Sequence, residues 1–236
     1  MADNVLISKM RYVQENNIDF FTFDNMSTDD SYKTLVNCGY DVMKVNTASF
    51  NLEFMNQMYA NKFHIDKPDW CIIAGVDSFY YCPPFNNLRH LIEHADDNGF
   101  DAIDTSRVLN FWYTGFEKDK PEDIRKEYFF YEEANNSWKS IQIFKYRPDF
   151  YIDGDKIQAE NVYYNPDFAV LHYRVLKHGK DKKTEQLKRR ELAWQTGQTR
   201  KCHGVHIKKT IENNIWQKDR TELSDIRNSI YWNLIK

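Results

Sequence analysis

Over roughly the first hundred residues, short β-branched and aromatic runs alternate with helix-patterned segments, and this alternation constrains the fold more than any other feature. Residues 4–17 place Leu6, Met10 and Val13 at three- and four-residue spacing, the mark of an amphipathic helix. IDFFTF (18–23) then reads as a strand that runs into a turn at Asp24-Asn25. The cap-forming residues 27–31 open a helix over 32–38 that Gly39 ends. YDVMKVN (40–46) is a second strand and 49–62 a helix, while DWCIIAGVDSF (69–79) has the apolar run of a buried central strand. After the Pro83-Pro84 break, a helix over 86–98 ends at Gly99. Strands and helices alternating in this way predict an α/β fold, a mostly parallel central sheet with helices on both faces.

Further along, 100–113 carries one long strand or two short ones, and the charged stretch 115–127 is a loop with a short helix. Strands follow at 140–146, 160–165 and 168–175, then a basic helix from Lys180 to about Gln195 and an amphipathic helix over 221–235. No repeat or low-complexity linker divides the chain, so residues 1–236 read as a single domain with a ligand-binding half (about 1–115) and a second half (about 116–236). The 16 Phe, 15 Tyr and 6 Trp predict an aromatic core, while only 8 Gly argue against glycine-loop nucleotide folds and turn-dense sandwiches.

No apolar run approaches the roughly 18 residues of a membrane span, and the N-terminus lacks the basic and apolar regions of a secretory signal. Cys38, Cys71, Cys82 and Cys202 are scattered without a C-x-x-C pair, as expected of free thiols in a reducing compartment, and the cytoplasm is the expected location. The net charge of −3 is unevenly spread. Between Arg174 and Lys209, 8 Lys and 4 Arg face only Asp181, Glu185 and Glu191, a surplus of +9 that leaves −12 on the rest of the chain. That asymmetry points to an anionic partner, a nucleotide diphosphate or a longer polyanion, although a solvated helix face accounts for such a run as well.

Two segments carry chemistry. Asp24-Asn25-Met26-Ser27-Thr28-Asp29 follows a strand and precedes a helix, where a carboxylate faces the crevice in which open α/β sheets bind ligands. The same residues also make an Asx turn and a helix cap. In Gly75-Val76-Asp77-Ser78-Phe79, an acid at the end of a buried strand calls for a partner or a divalent cation, unless it lies exposed in a turn.

Taken together, FFTFDNMSTDD and DWCIIAGVDSFYYCP resemble the strand–DNxSTD–helix and D-W-x(4)-D-x-D-E-F segments of family 2 glycosyltransferases, with Asp24 and Asp69 separated by 45 residues. SIQIFKYRPDFYIDGD and FAVLHYRVLKHGKDKKTEQLKRR are similar to the later part of a bacterial and viral subgroup, so that the likeness covers roughly residues 4–200. The resemblance implies an A-type fold that transfers a sugar from a nucleotide-diphosphate donor, a UDP-sugar foremost, to an acceptor hydroxyl. It implies that Asp24, with Asn25 and Asp29, contacts the donor. Asp77 and His172 would hold a divalent metal (Mn²⁺ or Mg²⁺) on the diphosphate, and Arg174, Lys177 and Lys180 would neutralise the leaving group. His172 also fits a satisfied core histidine; His203 and His206 form a rival pair that Gly204 argues against placing on one helix face.

The chain departs from the pattern at Gly75, which stands where the first acid of the triplet belongs, and at Ser78, which replaces its glutamate. The pattern's first strand, ahead of the helix at 4–17, is also missing, so the sheet is expected to be sealed by another segment, by a second copy of the chain in a homo-oligomer, or by an N-terminal extension. Asp104, Glu117 and Asp155 are candidates for the base that activates the acceptor, and Asp155 is chosen. Two alternatives follow: an inactive glycosyltransferase-like binding module, or a transferase acting on modified DNA bases, whose nucleic acid would meet the cations, Tyr173 and Trp194.

Overall fold

The computed structural model describes residues 2–47, 52–115, 117, 121–135, 141–150, 152–153, 156–175 and 218–236, with five single positions between 184 and 195. Its first half runs α1 (Ala2–Glu15), β1 (Phe21–Asn25), α2 (Ser31–Asn37), β2 (Asp41–Val45), α3 (Leu52–Asp66), β3 (Trp70–Ile72), β4 (Ser78–Tyr81) and α4 (Leu88–Asp97). Next come β5 (Ala102–Asp104), β6 (Arg107–Trp112), β7 (Phe130–Asn135), β8 (Ile141–Lys145), β9 (Ile152–Asp153) and β10 (Lys156–Ile157). The described elements end with β11 (Val162–Tyr163), β12 (Ala169–Val175), β13 (Ser224–Asp225) and α5 (Trp232–Ile235).

The fold is mixed α/β. Five strands form one sheet in the order β13-β7-β6-β12-β4, and four form another, β11-β5-β8-β3. Two further pairs are β1-β2 and β10-β9. The parallel order expected of a whole central sheet is found in three neighbour pairs, β1-β2, β11-β5 and β12-β6, and the other described pairs are antiparallel.

Helix α1 shows why this sequence packs as it does. Val5 and Tyr12 join the main core, while Leu6 and Met10 meet Leu35 of α2 in a smaller cluster. The Tyr12 hydroxyl donates to the Tyr80 carbonyl (2.6 Å) and accepts from the Tyr80 N–H (3.0 Å), closing the outer edge of β4 with a side chain instead of another strand. Left-handed glycines end α2 and α4, with φ of +79° at Gly39 and +74° at Gly99.

Two expectations are corrected, and one strand is found where none was expected. DWCIIAGVDSF is not one central strand: the chain turns at Gly75–Ser78, where the Ser78 N–H donates to the Gly75 carbonyl (3.2 Å). Before the turn, β3 pairs antiparallel with β8; after it, β4 enters the other sheet beside β12. The acidic stretch Phe130–Asn135 is a strand because its charges are met laterally, Glu133 by Arg107 and Glu132 by Lys218. The tail 221–235 is helical only at Trp232–Ile235, apart from two short 3-10 turns. Asp219 and Asp225 accept from the N–H groups of Thr221 and Arg227 and start those turns, while the Ile226 N–H donates to Phe129 O (2.8 Å) and lays the segment along β7. The basic helix expected from Lys180 to Gln195 lies, apart from five helical positions, outside the described residues.

The core is aromatic, as the composition predicts. Phe79, Tyr80, Phe111, Phe144, Phe168 and Tyr173 are fully buried, and Phe111 stacks on Tyr173 with ring centres 4.5 Å apart. Buried among them is the guanidinium of Arg125, held by Asp123 and Glu15. Burial works against its charge, yet those two carboxylates hold its pKa above the ordinary arginine value.

Candidate functional site

Strand β12 lies between β4 and β6, and register sets four polar residues in one row across the sheet: Ser78, His172, Asn110 and Glu132. Cross-strand neighbours point to the same face, so the row is one polar strip. Leu171 and Tyr173, on either side of His172, are fully buried. The alternation of β12 therefore delivers the histidine to the strip and its neighbours to the core.

His172 faces an oxygen at each ring nitrogen. Its Nδ1 lies 2.9 Å from Asn110 Oδ1, and its Nε2 lies 3.5 Å from Asp77 Oδ2. Asp77 comes from the turn before β4, 95 residues away in sequence. The Tyr173 N–H donates to its carbonyl (2.9 Å), and Ser78 Oγ stands 3.5 Å from its Oδ1. A ring that donates from Nδ1 to the Asn110 oxygen turns the lone pair of Nε2 toward the carboxylate. That arrangement is satisfied by a second ring proton or by a cation shared between nitrogen and oxygen.

Gly75 lies directly against the Asp77 side chain. A Cβ at this position would stand 2.6 Å from Asp77 Oδ1, closer than real contacts allow.

Beneath the turn lies Lys9 of α1, only 4% exposed. Its ammonium donates to the Ser78 carbonyl at 2.5 Å and lies 5.3–5.7 Å from the ring centres of Phe79, Tyr12 and Tyr80. Burial lowers its pKa from 10.5 to about 7, the negative charge of Asp77 opposes that shift, and Arg125 adds to it. Lys9 was missed from the sequence, although the signal is there: Val5, Leu6, Tyr12 and Val13 flank it at three- and four-residue spacing, so it sits in the middle of an apolar stripe. Asn110 gave no comparable signal, being one asparagine in an apolar strand.

The structure thus brings Asp77 and His172 together. Asp24 stands near the end of β1, only 7% exposed, its side chain making no hydrogen bond or ion pair among the described residues. Asn25 and Asp29 have local work. The Asn25 amide exchanges hydrogen bonds with Thr47 (2.8 and 3.0 Å), and Asp29 accepts from the Ser31 N–H (3.1 Å). Of the three candidate bases, Asp104 accepts from the Ser106 N–H (2.7 Å) and Glu117 from Thr114 (2.7 and 2.9 Å), both as turn-forming groups. Asp155, Lys177, Lys180, His203 and His206 lie outside the described residues; Arg174 is described only as backbone of β12.

The described residues include no group of three or more His, Cys, Asp or Glu able to hold a metal. Asp77 and His172 supply one carboxylate oxygen and one imidazole nitrogen, 3.5 Å apart. Cys71 and Cys82 are free, and burial pushes both thiols up to about 12, which keeps them protonated and unreactive. Among the described residues, no helix is long and apolar enough to cross a membrane.

No family model and no curated protein matches the chain. Among solved structures it is similar to the one titled "Crystal Structure of A197 from STIV", at 13% identity over 65% of this chain and 84% of that one. The TM-score is 0.32, a likeness that carries no argument about fold or activity.

Proposed function

We propose that the protein is a glycosyltransferase that moves a sugar from a nucleotide-diphosphate donor to an acceptor hydroxyl, with the diphosphate at the Asp77–His172 pair. The observation that carries this reading is the approach of those two side chains to 3.5 Å, with Asn110 fixing the ring from behind. The place of Asp24 near the end of β1 supports it, as an acceptor for a ribose hydroxyl or base N–H.

In the transfer, the acceptor oxygen forms a bond to the anomeric carbon as the bond from that carbon to the diphosphate breaks. The diphosphate leaves with the electron pair, and the acceptor proton passes to a carboxylate, for which Asp155 is the choice made from sequence. Asp77 and His172 would hold a Mn²⁺ or Mg²⁺ ion, which when bound supplies positive charge to the leaving oxygen. Arg174 and Lys177 would add to that charge.

Titration calorimetry with UDP, GDP and TDP, each with and without Mn²⁺, tests the proposal. Mn²⁺-dependent binding of one nucleotide, weakened by Asp77→Ala and by Asp24→Asn, is the expected result. A folded chain that binds none of them ends this reading. A second reading, a binding module without turnover, rests on Gly75 and Ser78 standing where the glycosyltransferase pattern has acids. Nucleotide binding without any hydrolysis of the donor sugar would select it.

A further inference from the structure

The turn that carries Asp77 is short, exposed at Val76, and held by three hydrogen bonds, one internal and two from other parts of the chain. Ser78 N–H closes it onto Gly75 O (3.2 Å), and Tyr173 N–H holds Asp77 O (2.9 Å) from β12. The third tie comes from α1, where Lys9 Nζ reaches Ser78 O at 2.5 Å. The first two are ordinary backbone bonds of a turn and of neighbouring strands. The third is not: a buried ammonium is costly, and a neutral side chain would pack against Phe79, Tyr12 and Tyr80 without that cost. The other members of that stripe, Val5, Leu6, Tyr12 and Val13, carry no charge, and the ammonium meets Ser78 O together with the ring faces of Phe79, Tyr12 and Tyr80.

We infer that Lys9 is the positioning residue of the Asp77 site: its bond to Ser78 O fixes the Ser78–Phe79 peptide at the end of the turn, and with it the backbone that aims the Asp77 carboxylate at His172 Nε2. This inference rests on the proposed site and goes beyond it, since it assigns a role to a residue from an unrelated helix that touches neither donor nor acceptor. Ser78 and His172 are register partners on β4 and β12, so a shift of the Ser78 peptide moves the carboxylate relative to the ring it faces. Groups that orient a ligating side chain typically cost ten- to hundredfold in affinity when removed. The same arithmetic applies to a carboxylate held by its backbone.

The test compares Lys9→Met with Tyr12→Phe in the full chain. Tyr12 lies one turn further along α1, is equally buried, and bonds the backbone of Tyr80 instead of Ser78. Two measurements are made: Mn²⁺ affinity by electron paramagnetic resonance, and the His172 ring resonances by NMR without metal. Lys9→Met is expected to weaken Mn²⁺ about tenfold or more and to shift the His172 ring signals, with Tyr12→Phe changing neither beyond twofold or beyond noise. Lys9→Gln, which keeps an N–H donor, should fall closer to the parent than Lys9→Met. Should the methionine variant not fold, Lys9→Gln carries the comparison alone, with a partial loss expected. Unchanged affinity and unchanged ring signals in Lys9→Met overturn the inference while leaving the site standing. No Mn²⁺ binding in the parent chain counts against the metal site; the ring signals then decide on Lys9 by themselves.

Discussion

Replacing Lys9 by methionine should change how stability depends on pH, and the size of the change follows from burial. In the folded chain the ammonium gives up its proton near pH 7, against 10.5 for an exposed lysine, chiefly because burial penalises its charge. Between those two values the unfolded chain holds more protons than the folded one. Raising the pH through that window therefore favours the folded state, by about 1.4 kcal/mol per unit at full slope. From pH 7.5 to 9.5 the contribution amounts to about 2 kcal/mol, and the methionine side chain of the variant has no proton to exchange. The buried thiols of Cys71 and Cys82, which stay protonated to about 12, are common to both chains and cancel in the comparison. Loss of the donor to Ser78 O adds a penalty of about 1–3 kcal/mol that does not vary with pH. The assay is urea unfolding followed by tryptophan fluorescence at pH 7.5, 8.5 and 9.5. Parent minus variant should grow by about 2 kcal/mol across the series. A difference constant to within about 0.5 kcal/mol would mean that the ammonium keeps its proton to pH 9.5, and would refute the argument that burial controls it.

Gly75→Ala should push the Asp77 carboxylate off its position, because the new Cβ would stand 2.6 Å from Oδ1. Calorimetry should then show Mn²⁺-dependent nucleotide binding about tenfold weaker, while urea unfolding moves by less than about 1 kcal/mol. Arg125→Met leaves Asp123 buried without its cation, at 5% exposure, and should cost about 3–5 kcal/mol, read as a fall of about 10 °C in Tm. The control is Arg227→Met, whose ion pair with Asp225 is half exposed, and it should cost no more than about 1 kcal/mol.

Much of the first half was legible in the sequence because its signals are local. The spacing of Leu6, Met10 and Val13 wrote α1, the run before Asp24 wrote β1, and Gly39 and Gly99 marked the helix ends they occupy. Asp77 and His172 were likewise visible as chemistry-bearing residues, one after an apolar run and the other within one. Tertiary structure alone decided what these residues meet. Strand pairing is set by hydrogen bonds between segments far apart in the chain, and no local pattern says that 69–79 divides between two sheets, or that the acidic stretch 130–135 holds as a strand through Arg107 and Lys218. The same long-range registers place Asn110 behind the His172 ring and Ser78 beside it. Lys9 marks the boundary between the two kinds of information. Its place in an apolar stripe is a property of the sequence, but the carbonyl it serves is chosen only when α1 packs against the start of β4.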